Sequence, residues 1–251
     1  MYHIIADYHT HTRYSHGKGS ILDNVEAARK KGLKQIAISD HGFGHMGFGM
    51  ALSDISKMRK EICSLNRRFS DIEILMGIEA NLTGMDGTID IPDSEQNAFD
   101  MILMGFHKAV KPACIRDGWQ LFVRNGLDKL FPFRREELTQ RNTEAMGKAM
   151  ERYPIRILTH PGAKIPIDSA KLAKTAARTG TALEINASHG YMTVEYVRTA
   201  LKGGAFFAIS SDAHVPEKVG VFDRAIAIAE AAGVPPQRII NTEEYIRHYS
   251  L

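Results

Sequence analysis

Seven short apolar or β-branched runs, separated by stretches of helical period, constrain the fold of this chain more than any other feature. The runs read as strands near Ile4–Asp7, Gln35–Ser39, Glu73–Ile78, Met101–Gly105, Ile155–Thr159, Ala182–Ile185 and Phe206–Ile209. The intervening helices mark their own ends. Ser20 reads as an N-cap ahead of the stripe Ile21, Leu22, Val25 and Ala28, with Gly32 as the stop. Ser53 opens a second helix, with Ile55, Met58, Ile62 and Leu65 along one side. Asp168 caps a third, striped by Leu172, Ala176 and Ala177 and stopped at Gly180. Thr193 and Asp223 open two more, which close at Gly203-Gly204 and at Gly233. Such alternation makes a parallel sheet with helices outside it. The expected fold is α/β, a seven-stranded (βα) barrel one unit short of the eight-stranded form, with a doubly wound open sheet as the alternative. The longest departure, Val110 to Tyr153, is predicted to hold helices over about Asp117–Leu130 and Glu136–Arg152 and to form an insertion at the rim.

At 251 residues the chain can bury one full core, and a single domain over residues 1–251 is expected. A net charge of +3 is too small to imply a nucleic-acid partner by bulk electrostatics. No apolar run reaches membrane-spanning length, and no basic segment followed by an apolar one marks a signal peptide. Cys63 and Cys114 form no close-spaced pair and read as reduced thiols with ordinary packing roles, as expected of a cytoplasmic protein.

Ligand-type residues cluster where the strands end. His9 and His11 follow the first strand, and alternation puts both rings on one face. His16 comes a few residues on; His41 follows the second strand and Glu79 ends the third. His107, His160 and the pair Asp212 and His214 follow strands four, five and seven. In a parallel barrel all these ends open on one rim, where chemistry is built. One loop histidine is usually a backbone-bonded bystander, but seven of the eleven histidines share this edge. The other four (His3, His45, His189 and His248) read as ordinary residues, although His45 and His189 also lie on the rim. One divalent ion takes roughly four to six ligands. Seven imidazoles and two carboxylates exceed what one ion uses, and with Glu79 as a bridge they would supply three sites. Three divalent ions against two carboxylates leave about +4, which favours an anionic substrate and above all a phosphate.

The stretches DYHTH, ISDHG, GIEANL, GFH, LTHPG, LEIN and SSDAH, in this order across nearly the whole chain, resemble the polymerase and histidinol phosphatase (PHP) family of metal-dependent phosphoesterases. The run Gly77–His107, the run Leu138–Gly162 and Ile239-Ile240-Asn241-Thr242 are similar to the PHP domain of bacterial family X DNA polymerases, and the whole chain resembles small stand-alone PHP phosphatases. The resemblance implies a distorted seven-stranded TIM-like barrel and three divalent ions of zinc, manganese or iron. It assigns His9, His11, Glu79 and Asp212 to the first ion, Glu79, His107 and His160 to the second, and His16, His41 and His214 to the third. The implied reaction is in-line attack of a metal-activated water on phosphorus. Glu79 and Asp212 would act through the metals, and Asp40 would orient a ligand histidine or protonate the leaving oxygen. Arg13, Lys108, Lys164 and His189 are candidates for phosphate contact at the rim. The expected substrate is a small phosphomonoester. A nuclease-like phosphodiesterase and a non-catalytic binding module are the alternatives, and the weak net charge and lack of a basic, aromatic groove favour the monoesterase.

Overall fold

The computed structural model describes residues 2–128 and 135–249. Seven strands, β1 (Ala6–Thr10), β2 (Gln35–Ile38), β3 (Glu73–Asn81), β4 (Met101–Gly105), β5 (Ile155–Leu158), β6 (Ala182–Asn186) and β7 (Phe206–Ser210), pair in sequence order. Every neighbouring pair is parallel. The sheet curls until β7 meets β1. At the end that bears the histidines, Thr10 bridges Ala213 and the His11 N–H donates to the Ala213 carbonyl at 2.8 Å. At the opposite end Ile239–Thr242 fills the gap between β7 and β1. There the Asn241 Nδ2 donates to the Ala6 and Ile209 carbonyls, both at 2.7 Å, and its Oδ1 accepts from the Ile209 N–H at 3.1 Å. The result is a nearly closed barrel, and the open-sheet alternative is set aside.

Two apolar clusters hold it. Ala6, Tyr8, Ala37, Leu103, Ile157, Ala182 and Ala208 come from the strands and fill the barrel. The larger cluster lies between the barrel and its helices and includes Val25, Ile36, Met58, Ile74, Met146, Leu172 and Phe207.

The caps form where the side chains dictate. Ser20 makes a reciprocal capping box with Asp23, Asp168 accepts from the Ala170 and Lys171 N–H groups, and Thr193 accepts from Tyr196. Other expectations shift. The first strand starts at Ala6, and Ile4 makes only an isolated bridge to Thr242. The third runs on past Ile78 to Asn81. Ser53 lies in a 3₁₀ turn, and the helix proper is Ile55–Arg68. Ala173 rather than Ala177 completes the buried stripe of Ser169–Thr179. Cys63 and Cys114 are free, but both are exposed and not packed.

The expected insertion divides into two unlike parts. The helix Arg135–Arg152 buries Leu138, Ala145, Met146, Ala149 and Met150 and is the barrel's own outer helix between β4 and β5. The stretch from Ile115 to Gly126, α-helical at its ends and π-helical over Gly118–Val123, is anchored to that layer by the buried Leu121 and by Phe122 stacked on Phe106, while Ile115, Trp119 and Val123 stay exposed. Lys129 and Leu130, the expected end of this helix, lie outside the described residues. Among the described residues no helix is long and apolar enough to cross a membrane.

Candidate metal centre

β1 carries the first candidate ligands through a defect in its pairing. Ala6 and Tyr8 face the barrel interior, so unbroken alternation would turn His9 away from it. Pairing slips between Asp7 and Thr10, which lie opposite Ile36 and Ile38, so β1 holds one residue more than its partner. This bulge turns His9 inward together with His11. Their Nε2 atoms lie 3.1 Å apart. Two further candidate ligands, His160 (φ 30°) and Asp212 (φ 54°), occupy the left-handed region that non-glycine residues rarely adopt, as does Lys164 (φ 66°). Strain of this kind concentrates at working sites. β4 ends in Gly105 because the chain passes so close to β5 that a Cβ there would stand 2.8 Å from His160 Cε1.

Glu79 lies at the centre, fully buried at the end of β3. Its Oε1 faces His160 Nε2 at 2.9 Å, His107 Nε2 at 3.6 Å and the Thr159 hydroxyl at 2.7 Å. Its Oε2 faces His41 Nδ1 at 2.9 Å, His9 Nε2 at 3.4 Å and His11 Nε2 at 3.8 Å. Asp212 Oδ1 lies 3.2 Å from His11 Nε2 and 3.5 Å from His214 Nδ1. Three groups have ligand atoms within 4.8 Å of one another: His9, His11 and Asp212; His11, His41 and His214; and His41, Glu79 and His107. His41 therefore stands closer to Glu79 than the family-implied division suggests. His160 joins through Glu79. His16 stacks on His41, with ring centroids 4.8 Å apart.

The donor set fits divalent ions. His11 Nδ1, His16 Nδ1, His41 Nδ1, His160 Nδ1 and Glu79 Oε2 are buried without a hydrogen-bond partner. The His41–Glu79 approach is close yet lacks hydrogen-bond geometry, as two lone pairs aimed at a common cation would. Buried polar atoms left in this state are costly unless something else satisfies them.

The electrostatics divide the imidazoles. Burial holds His11 and His107 well below the ordinary histidine range, and burial with His214 and His41 nearby brings His16 down to about 4. Burial also pushes His9 down, but Glu184, Asp212 and Glu79 outweigh it and hold it well above the ordinary value. His160 is raised likewise by Glu79 against its own burial. Glu79 and Asp212 are buried, which would raise them, yet the surrounding histidines keep both well below the carboxylate range.

The residues behind the centre were harder to read from sequence. Glu184 is fully buried; its Oε1 takes His9 Nδ1 at 2.7 Å and its Oε2 accepts the His160 N–H at 2.7 Å. Asn81 Oδ1 lies 2.6 Å from His107 Nδ1. Glu184 stands in LEIN and Asn81 in GIEANL, and a lone carboxyl group among the inward residues of an apolar strand is the signal for the first. It also makes the two-carboxylate charge count short by one. Asp40 is a correction: its carboxylate accepts from the Thr12 N–H, the Thr12 hydroxyl and the Ser15 hydroxyl, bracing the loop that carries His16 and orienting no histidine.

A cavity of about 340 Å³ opens over the centre, lined by His45, Phe48, Lys164, His189 and Tyr191 besides the ligands. His45, read as an ordinary residue, faces it. Lys164 and His189 stand at its wall. Lys108 lines an adjoining cavity instead, with Lys164, Asn125, Tyr191 and Tyr196. Arg13 reaches neither and lies on the surface, 3.4 Å from Asp23.

The PHP domain family model matches residues 7–159. A probable phosphatase of Shewanella sp. strain ANA-3 is 32% identical over 94% of this chain and 86% of its own length. One from Caldanaerobacter subterraneus is 29% identical over 95% and 87%. The histidinol phosphate phosphatase of Lactococcus lactis, solved with zinc, L-histidinol and phosphate, shares the fold with a TM-score of 0.57 at 16% identity, over 91% of this chain and 93% of its own.

Proposed function

The chain belongs to the PHP domain family and is a phosphatase-type hydrolase, and from that premise we propose that it hydrolyses a small phosphomonoester with three divalent ions of zinc, manganese or iron. The observation that carries this reading is the convergence of five buried imidazoles on Glu79, whose Oε2 and the His41 Nδ1 facing it are both without a hydrogen-bond partner. His9, His11 and Asp212 would hold one ion, Glu79 would bridge, and His41, His107, His160, His214 and His16 would complete the set. When bound, the ions would supply a nucleophile from water and positive charge opposite the phosphoryl oxygens.

The chain's own groups do the rest. Glu184 and Asn81 keep the proton of His9 and His107 on Nδ1, leaving each Nε2 to face the centre. Lys164 and His189 at the cavity wall would bind the outer phosphate oxygens. The leaving group would extend into the adjoining cavity, beside Tyr191, Tyr196 and Lys108, which brings Asn125 of the rim stretch into substrate selection. A monoester dianion gains more from a strongly positive cluster than the single charge of a diester does. A cavity of about 340 Å³ also suits a small molecule better than a polynucleotide, which needs a groove to follow its backbone. The free cysteines support a cytoplasmic location.

The test is turnover of a panel by purified protein of defined metal content. Para-nitrophenyl phosphate and at least one phosphorylated metabolite should be hydrolysed faster than bis-para-nitrophenyl phosphate. A chelator should abolish the activity, and Mn²⁺ or Zn²⁺ should restore it. Oligonucleotide cleavage with negligible monoesterase activity would sink the proposal and promote the nuclease.

A further inference from the structure

Behind His107, on the side away from the cavity, the polar groups run on past Asn81 to Asp90. The Asp90 carboxylate accepts three N–H groups: the Asn81 backbone at 2.7 Å, the Asn81 side-chain Nδ2 at 2.6 Å and the Gly44 backbone at 2.8 Å. It packs against the loop after β2 so tightly that a Cβ on Gly42 would stand 2.6 Å from its Oδ2. Its two backbone partners are donors under all conditions, so the group they face is an acceptor. An acceptor opposite the Asn81 side chain admits that amide's NH₂ and repels its carbonyl. The amide is therefore turned with Oδ1 towards His107, 2.6 Å from Nδ1. An oxygen at that distance requires a proton on Nδ1. Nε2 is then left bare, and Nε2 is the nitrogen aimed at Glu79 Oε1, 3.6 Å away.

We propose that Asp90 is a positioning residue that sets the tautomer of His107 through Asn81, and that through Gly44 it ties this setting to the loop carrying His45. The inference rests on His107 being a metal ligand. His9 receives the same service directly from a carboxylate, Glu184; His107 receives it at one remove, with the amide acting as a one-way relay. Asparagine at position 90 would remove the relay's direction. Its NH₂ must face one of the two backbone N–H groups; in the orientation that sets it beside Gly44, the Asn81 amide turns, offers NH₂ to Nδ1 and pushes the imidazole proton to Nε2, where it blocks ligation.

Nitrogen-resolved histidine spectra of the metal-free protein test this without relying on activity, with His107 assigned by the signals lost in His107→Gln. Wild-type His107 should be the Nδ1–H tautomer. In Asp90→Asn a large share should become Nε2–H, and Zn²⁺ affinity by calorimetry should fall roughly 10–100-fold. The melting temperature should stay within a few degrees, which a merely structural role would not allow. Asn81→Ala should weaken Zn²⁺ binding by a similar factor, and the double variant should lose no more than Asn81→Ala alone, since Asp90 reaches His107 only through that amide. Finding Nε2–H in the wild type overturns the proposal even if Asp90→Asn fails to fold. So does an unchanged tautomer in Asp90→Asn, or losses that multiply in the double variant. A wild-type Nδ1–H tautomer that responds to Asp90→Asn in a protein that binds no Zn²⁺ would refute the metal reading and support the tautomer lock.

Discussion

Replacing Glu79 by glutamine exchanges one carboxylate oxygen for an NH₂ group amid five imidazoles, those of His9, His11, His41, His107 and His160. Its two oxygens face different imidazoles, so on the proposed reading the change removes a bridge, whereas Asp212→Asn touches one side only. Elemental analysis should show Glu79→Gln losing more than one ion per chain and Asp212→Asn losing at most one. Monoesterase activity should drop on the order of 100-fold or more in the first. Protonation gives a second expectation at this scale. His9 and His160 sit above the ordinary histidine value and so take up a second proton more readily than an ordinary histidine in the metal-free protein. His11, His16 and His107 sit below it and stay neutral, with a single N–H each. An incoming ion must therefore displace protons from the first pair, and apparent affinity should fall as pH falls through neutrality. Calorimetry of Zn²⁺ binding in two buffers of different ionisation heat should detect release of about one to two protons. No release at pH 7 would show that the carboxylates do not hold His9 protonated.

Helical elements with similar sequence texture serve different ends here. The stretch from Ile115 to Gly126 and the helix Arg135–Arg152 look alike as a break in the alternation, but the first buries a single apolar side chain, Leu121, with Phe122 half-buried against Phe106, whereas the second buries a whole face. Met146→Ala should cost about 2–5 kcal/mol in chemical denaturation, because it opens a cavity in the outer layer, with metal content unchanged. Exchanging residues 113–126 for the equivalent segment of a relative should instead shift KM among phosphomonoesters while stability and metal loading stay put. Metal loss on that exchange would assign the stretch to the barrel. Sequence could not separate the two parts, because amphipathic period shows that a helix has an apolar face and not what covers it.

Closure is a property of the whole molecule and turns on Asn241. A seven-stranded sheet leaves β7 and β1 poorly matched at one end, and this side chain supplies two donors and one acceptor across the gap. Leucine has the volume but none of the bonds. Asn241→Leu strands three buried backbone groups at roughly 1–3 kcal/mol each. We expect a loss of about 3 kcal/mol or more in denaturant titration, with the metal ligands untouched. A loss under about 1 kcal/mol would mean that the β7–β1 seam does not depend on this residue.

The chain alone made legible the strand order, most helix caps and the nine ligand-type residues, because period, cap chemistry and histidines at strand ends are local properties written within a few residues. Glu184, Asn81 and Asp90 were not legible as parts of the centre, since each acts on a residue far away in the chain (His9, His107 and Gly44). The inward turn of His9 was also hidden: simple alternation put His9 and His11 side by side, but it is the bulge in β1, a consequence of pairing with β2, that points them at Glu79. Asp40, beside His41 in sequence, turned out to brace the Thr12–Ser15 loop instead. Local chemistry can nominate a ligand; which carboxylate holds it, and with which nitrogen free, is decided by neighbours that only the closed barrel brings within 3 Å.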